Sequence, residues 1–156
     1  MIYGQFIQPF LDATLNVLKI QAGISAVAGD VKIRASGELP RGDVTGYIGI
    51  VSEEFNGSVA ICFPEGTFLN VMSAMLGEQY TELNQEILDG VGELTNMIFG
   101  MAKVTLNEKG YGIKMALPKV ISGKNHMVVS LGRGETITIP FESSAGEFRL
   151  EMSLSE

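Results

Sequence analysis

The chain has 156 residues, 46% of them hydrophobic, and carries 11 Lys and Arg against 18 Asp and Glu for a formal charge of −7. That length suits one domain that buries a sizeable core without disulfides, and the acidic balance leaves no basic patch of the kind that neutralises a phosphate backbone, which argues against nucleic acid as a ligand. A single cysteine, Cys62, excludes an intramolecular disulfide scaffold and a cysteine-rich metal site.

The first residues, Met1 to Gln5, lack the basic start and apolar run of a signal peptide, and no stretch reaches about 18 uninterrupted apolar residues, so the expectation is a cytoplasmic chain with no membrane contact. Residues 9–21 predict a first helix, with Phe10, Ala13, Leu15, Val17, Leu18 and Ile20 as a broad apolar surface and Gly23 as its stop. Segments 31–35, 46–51 and 58–63 have the β-branched and aromatic content of strands. Asn56–Gly57 reads as the turn joining the last two into an antiparallel hairpin, which explains the dipeptide better than the glycosylation sequon that Ser58 completes. Cys62, in the apolar run Val59, Ala60, Ile61, Cys62, Phe63, reads as a buried strand thiol, and Arg41–Gly42–Asp43 as a loop. Residues 68–76 predict a short helix that Gly77 ends.

A long helix follows, with Thr81 as its expected cap and Leu83, Ile87, Val91, Leu94, Ile98 and Ala102 stepping by three and four as its apolar stripe. The opposite face carries Asp89, Glu93, Asn96, Gly100 and Lys103. Glu93 and Asn96 are one three-residue step apart, roughly 60° around the helix and about 4.5 Å along it, so both side chains reach one small target. A carboxylate pairs with a cation and a carboxamide both donates and accepts, a combination suited to anchoring a partner's lysine and orienting a water molecule. Gly90, Gly92 and Gly100 each cost the helix roughly 1 kcal/mol relative to alanine. Either close approach of a partner's backbone or tight packing on the chain's own sheet accounts for them.

After Gly110, strands are expected at 112–117, 127–131, 135–141 and 147–154, with Ser144, Ala145 and Gly146 as a turn. Each half of the chain, 5–77 and 81–156, runs from a helix into strands that end in a hairpin, at 46–63 and 135–154, which suggests a single domain built by internal duplication. With Asn16 matched to Asn96, Ala13 falls at the position of Glu93 and Pro9 at that of Asp89, so only the second copy keeps the polar set. Met72, Met75, Met97, Met101 and Met115 read most simply as core, with an adaptable interface surface as the alternative. His126, the only histidine, makes no metal site alone. No Gly-x-Ser-x-Gly elbow surrounds a serine, and Gly132–Arg133–Gly134 is too short for a phosphate loop, so an enzyme acting on a small molecule ranks last.

Asp89, three residues, Glu93, two residues and Asn96, with Pro118 about twenty residues on, resembles the signature of the CheC/CheX family of chemotaxis phosphatases. The opening Pro9 to Val17 resembles the first helix of the CheX branch, and the likeness then covers nearly the whole chain. It implies an α+β fold of pseudo-duplicated helix–strand units, an antiparallel sheet packed by two principal helices. It further implies hydrolysis of the aspartyl phosphate of a phosphorylated CheY-like response regulator, with Glu93 pairing with the regulator's lysine and Asn96 inserted to position water for in-line attack. An aspartyl phosphate is already activated, and phosphoryl transfer depends mostly on positioning, so no strong base is required. Asp89, Gly92 and Gly100 are the expected partner-binding positions, and Pro118 shapes a strand. This chain is expected to bind no cofactor, Mg²⁺ belonging to the regulator. The CheX likeness implies a homodimer joined through its sheets, with one active surface per chain. The alternative is a non-catalytic docking or scaffold protein of the same fold that binds a response regulator or a flagellar-switch component, which would need no water-positioning amide at Asn96.

Overall fold

Sequence-local rules and tertiary packing disagree first at the N-terminus. The computed structural model describes residues 2–34, 41–52, 56–115, 118–128 and 136–155, and its first helix, α1 (Ile2–Ala22), contains Pro9 instead of starting there. An interior proline costs about 3 kcal/mol. Burial offsets it: Phe6 is fully buried, 5.8 Å from both Phe10 and Tyr111 by ring centroids, and the Tyr111 hydroxyl donates to Gln5. The far end is as expected, with Gly23 at φ 65° returning its N–H to the Lys19 carbonyl. The second helix, α2 (Glu65–Leu76), starts three residues before the expected position and stops at Gly77 in the left-handed region, φ 71°.

Among the described residues, the remaining elements are eight strands and a third helix, α3 (Gln85–Glu108). All strands form one antiparallel sheet. Along one edge, β1 (Ala26–Ala28) and β2 (Lys32–Arg34) both pair with β7 (Thr136–Ser143); β8 (Phe148–Ser155), β4 (Asn56–Phe63) and β3 (Arg41–Val51) follow, and β5 (Lys114–Met115) and β6 (Lys119–Met127) close the other edge on β3. The strands that follow α1 therefore pair with the hairpin that follows α3, and those that follow α3 pair with the hairpin that follows α1. Alternate residues face the helices. Val44, Ile48 and Ile50 on β3, Val59, Ile61 and Phe63 on β4, and Phe148, Leu150 and Met152 on β8 share one core with Phe10 and Leu18 of α1, Phe68 and Met72 of α2, and the stripe of α3. Cys62 lies on the other face of the sheet, buried beside Ala60 and Val128. No helix among the described residues is long and apolar enough to cross a membrane.

Several expected boundaries move. The β3–β4 hairpin is present, but Asn56 and Gly57 are inside β4, opposite Val51 and Ile50 on one side and Ser155 and Leu154 on the other. A central strand paired on both sides extends its ladder through a dipeptide that would otherwise turn; residues 53–55, between the two strands, are outside those described. The Ser144–Ala145–Gly146 turn is in place, with Gly146 donating to the Ser143 carbonyl at 3.1 Å. Of the strand expected at 127–131, Met127 is the last residue of β6 and Val128 follows it outside any strand; 129–131 and the Gly132–Arg133–Gly134 turn lie outside the described residues. The sequence of β6 is largely polar and its residues mostly exposed, so it offers no alternation to detect, as suits an edge strand protected by lysines.

Arg41–Gly42–Asp43 opens β3 and is not a loop. Asp43 explains why: its carboxylate accepts the Glu65 N–H and the Asn125 N–H, both at 2.8 Å. The N-cap of α2 is Pro64, which makes no side-chain cap, so an aspartate from a distant strand serves the first turn of the helix and ties β6 to it.

Candidate functional site

The helix that carries the predicted polar face is capped by Asn84, whose Oδ1 accepts the Ile87 N–H at 2.9 Å. Thr81 stands outside the helix, because asparagine at 84 meets the orphan donor directly. Ile87, Val91, Leu94, Ile98 and Ala102 are buried as their spacing predicts, joined by Thr95, Phe99 and Leu106. Leu83 falls before the helix and is half-buried.

On the opposite face Asp89 and Glu93 are exposed, and Gly92, Asn96 and Gly100 half-buried. Asp89 accepts a hydrogen bond from the Gln85 side chain at 2.9 Å. Among the described residues, the Glu93 and Asn96 side chains have no hydrogen-bond or ion-pair partner, so both are available to an incoming molecule. Pro118 is not on this face; it stands one residue before β6, whose Val120 passes Gly92.

Thr95 fixes the rotation of the helix and so the direction of Asn96. Its hydroxyl donates to the Val91 carbonyl at 2.6 Å, and it sits so close to β3 that a Cβ on Gly46 would lie 1.9 Å from its oxygen. Gly46 is required by this approach of helix to sheet. The helix glycines divide in kind. A Cβ on Gly90 would meet the Met72 side chain at 2.5 Å, one on Gly92 would touch Val120 at an ordinary 3.6 Å, and one on Gly100 would meet nothing within 4 Å. A Cβ at Gly90 would thus displace only the flexible end of Met72, a residue of α2, and Gly100 faces open space, so packing on the sheet accounts for neither.

Residues of α1 that the spacing argument did not select stand beside Asn96. Val17, Ile20 and Gln21 line a groove of about 560 Å³ with Asn96, Met97, Gly100, Met101, Val104 and Thr105. Ile20, Val104 and Met101 are 65%, 60% and 39% exposed, so Met101 is not core. The signal available in the sequence was the width of the apolar surface on α1, broader than one core face needs.

The match between the two helices also changes. Thr14 donates to the Phe10 carbonyl at 2.7 Å as Thr95 does to Val91, and both threonines are buried. Matching α1 to α3 on these residues puts Gln8, Asp12 and Leu15 at the positions of Asp89, Glu93 and Asn96, each exposed to the same degree as its counterpart. Ala13 is buried and does not take the outward position of Glu93; the shift by one follows from aligning on a surface amide instead of a core hydroxyl. The first helix still has no amide at the outward place.

Among the described residues no group of three His, Cys, Asp or Glu is placed to hold a metal. His126 is engaged in the sheet, its Nε2 2.7 Å from the Thr45 hydroxyl and its Nδ1 2.9 Å from the Gly123 carbonyl.

A model of the family described as chemotaxis phosphatase CheX matches residues 44–142. The CheY-P phosphatase CheX of Thermotoga maritima is 29% identical over 130 residues, 83% of each chain. The crystal structure of a CheC-like superfamily protein from Shewanella sp. PV-4 aligns with a TM-score of 0.89 at 42% identity, over 97% of this chain and 98% of that one. A structure of the CheX–CheY–BeF₃–Mg²⁺ complex from Borrelia burgdorferi aligns with a TM-score of 0.76 at 24% identity, over 97% and 98%.

Proposed function

The chain belongs to the CheX family of chemotaxis phosphatases, and on that premise we propose that it hydrolyses the aspartyl phosphate of a phosphorylated CheY-like response regulator laid against α3. One observation carries the reading: an exposed carboxylate and a half-buried carboxamide, Glu93 and Asn96, share the outward face of a helix whose rotation is keyed into the sheet beneath. The names of the relatives support the partner, one being a CheY-P phosphatase and another a complex with CheY.

Glu93 pairs with the ammonium of the regulator's lysine and sets the register of docking. Asn96 enters the regulator's site, where its carbonyl accepts from a water molecule and its amide donates, holding the water in line with the phosphorus–oxygen bond to the aspartate. The water oxygen bonds to phosphorus, the aspartate leaves as a carboxylate, and the water proton departs with inorganic phosphate. Mg²⁺, where the reaction uses it, belongs to the regulator and neutralises charge on the phosphoryl oxygens. Asp89, hydrogen-bonded to Gln85, and Gly92 and Gly100 complete the contact surface. The same reading takes the protein as a cytoplasmic homodimer joined through its sheets, which light scattering on the purified chain checks.

The experiment is phosphate release from a panel of phosphorylated CheY-type regulators. Wild type is expected to accelerate release from at least one, and Asn96→Ala to lower kcat by about 10²-fold or more, the scale of losing one preorganised donor, while still binding. Binding without acceleration of any regulator would make the protein a docking module.

A further inference from the structure

The groove between α1 and α3 is unused by the chemistry of Glu93 and Asn96, yet Asn96 forms part of its wall. We propose that this groove, with Ile20, Met101 and Val104 as its apolar contacts, is the second half of the regulator-binding surface and the part that selects which regulator is served. The inference rests on the functional reading above and adds to it the residues that recognise the partner away from the phosphate.

Geometry makes the contact hard to avoid. From Asn96 to Val104 is eight residues of one helix, a rise of about 12 Å. A standard interface covers about 800 Å² on each partner, a disc of roughly 16 Å radius. A globular domain seated with Asn96 near the centre of its footprint therefore covers Gly100, Met101 and Val104, and Ile20 across the groove. Among the described residues, none that lines the groove is charged, whereas the opposite end of the same face carries Asp89 and Glu93. Such a surface matches a partner with a lysine at its phosphorylation site and a neutral apolar patch beside it. Gly100 fits this arrangement, since it leaves open space where the partner passes closest to the helix. The two ends differ in kind: the acidic end steers and is screened by salt, while the groove, whose lining leaves out Lys103 of the same helix face, holds by apolar contact, which is not screened.

The test uses a phosphorylated CheY-type regulator that wild type dephosphorylates, with Ile20→Glu and Val104→Glu made separately and together; both residues are largely exposed, so circular dichroism and melting temperature should match wild type. The double variant is expected to raise KM by about tenfold or more, with the loss falling on KM instead of kcat and persisting at 0.5 M salt, the reverse of Asn96→Ala. An unchanged KM, with wild type active, would overturn the groove while leaving the phosphatase reading intact. A wild-type dimer that Ile20→Glu converts to monomer would overturn it too, by showing that a second copy of the chain fills the groove. If wild type dephosphorylates no regulator, the phosphatase reading fails first; the groove then stands only if a regulator binds in calorimetry and the double variant abolishes that binding, and it falls if none binds.

Discussion

Asp43 shows how a single side chain joins parts of the molecule that the chain keeps far apart. Hydrogen bonds from the backbone N–H groups of Asn125 and then Glu65 hold its carboxyl below the usual carboxylate range, against a smaller opposing effect of burial. With the folded value below the unfolded one of about 3.9, its contribution is complete above that pH and is lost as pH falls through the folded value. Asp43→Ala is expected to lower stability at pH 7 by about 1 kcal/mol, and thermal melts between pH 7 and 3 should show the gap to wild type closing on acidification. Cys62 behaves oppositely: burial pushes its thiol up to about 11, with the Thr45 hydrogen bond pulling the other way. At pH 8 iodoacetamide should leave it unmodified in the folded protein and label it after denaturation, which mass spectrometry reads directly. That Glu93 and Asn96 share one outward face was legible at this scale because they are three positions apart on one helix. Asp43 was not, since its partners are 22 and 82 positions away and nothing local distinguishes it from a loop aspartate.

Among the elements, α3 is the one whose sequence pattern and structure agree most closely, because a one-sided apolar stripe over many turns has a single low-energy placement on a sheet. Its start was misplaced to Thr81 because two residues of capping type lie close together, and the hydrogen bond from Ile87 decides for Asn84. The start of α1 and the whole of β6 escaped for a different reason. Phe6 earns its helical turn from contacts with Phe10 and Tyr111, and β6 from a ladder on β3, so neither leaves a local period to read. The fit of α3 on β3 gives a sharp expectation: Gly46→Ala should cost about 2–3 kcal/mol by overpacking, with Thr95→Ala in the same chain restoring part of it, as urea melts of the single and double variants would report. Gly100→Ala should act the other way, stabilising the free protein by up to about 1 kcal/mol while raising KM for the regulator. A stabilised variant with unchanged KM would remove Gly100 from the contact surface.

For the whole molecule, the order of helical and strand segments and the two hairpins were readable in the residues, while the α+β class with one antiparallel sheet under helices came from the family resemblance, which the structure bears out. The order of strands in the sheet was not readable, because which edge receives β1, β2, β5 and β6 is decided by long-range pairing that hydrophobic periodicity does not encode. That order has a consequence for the chain as a polymer. Neither stretch on its own, before or after the connection at 77–84, contains the neighbours of its own edge strands: β1 and β2 need β7, and β6 needs β3. A protein opened between Gly77 and Asn84 is therefore expected to yield two fragments that remain largely unstructured apart and reassemble on mixing into a folded heterodimer, with circular dichroism rising at a rate that depends on the product of their concentrations. Split in this way, the molecule becomes a reporter of proximity, each fragment fused to a different protein and neither competent until the two are brought together.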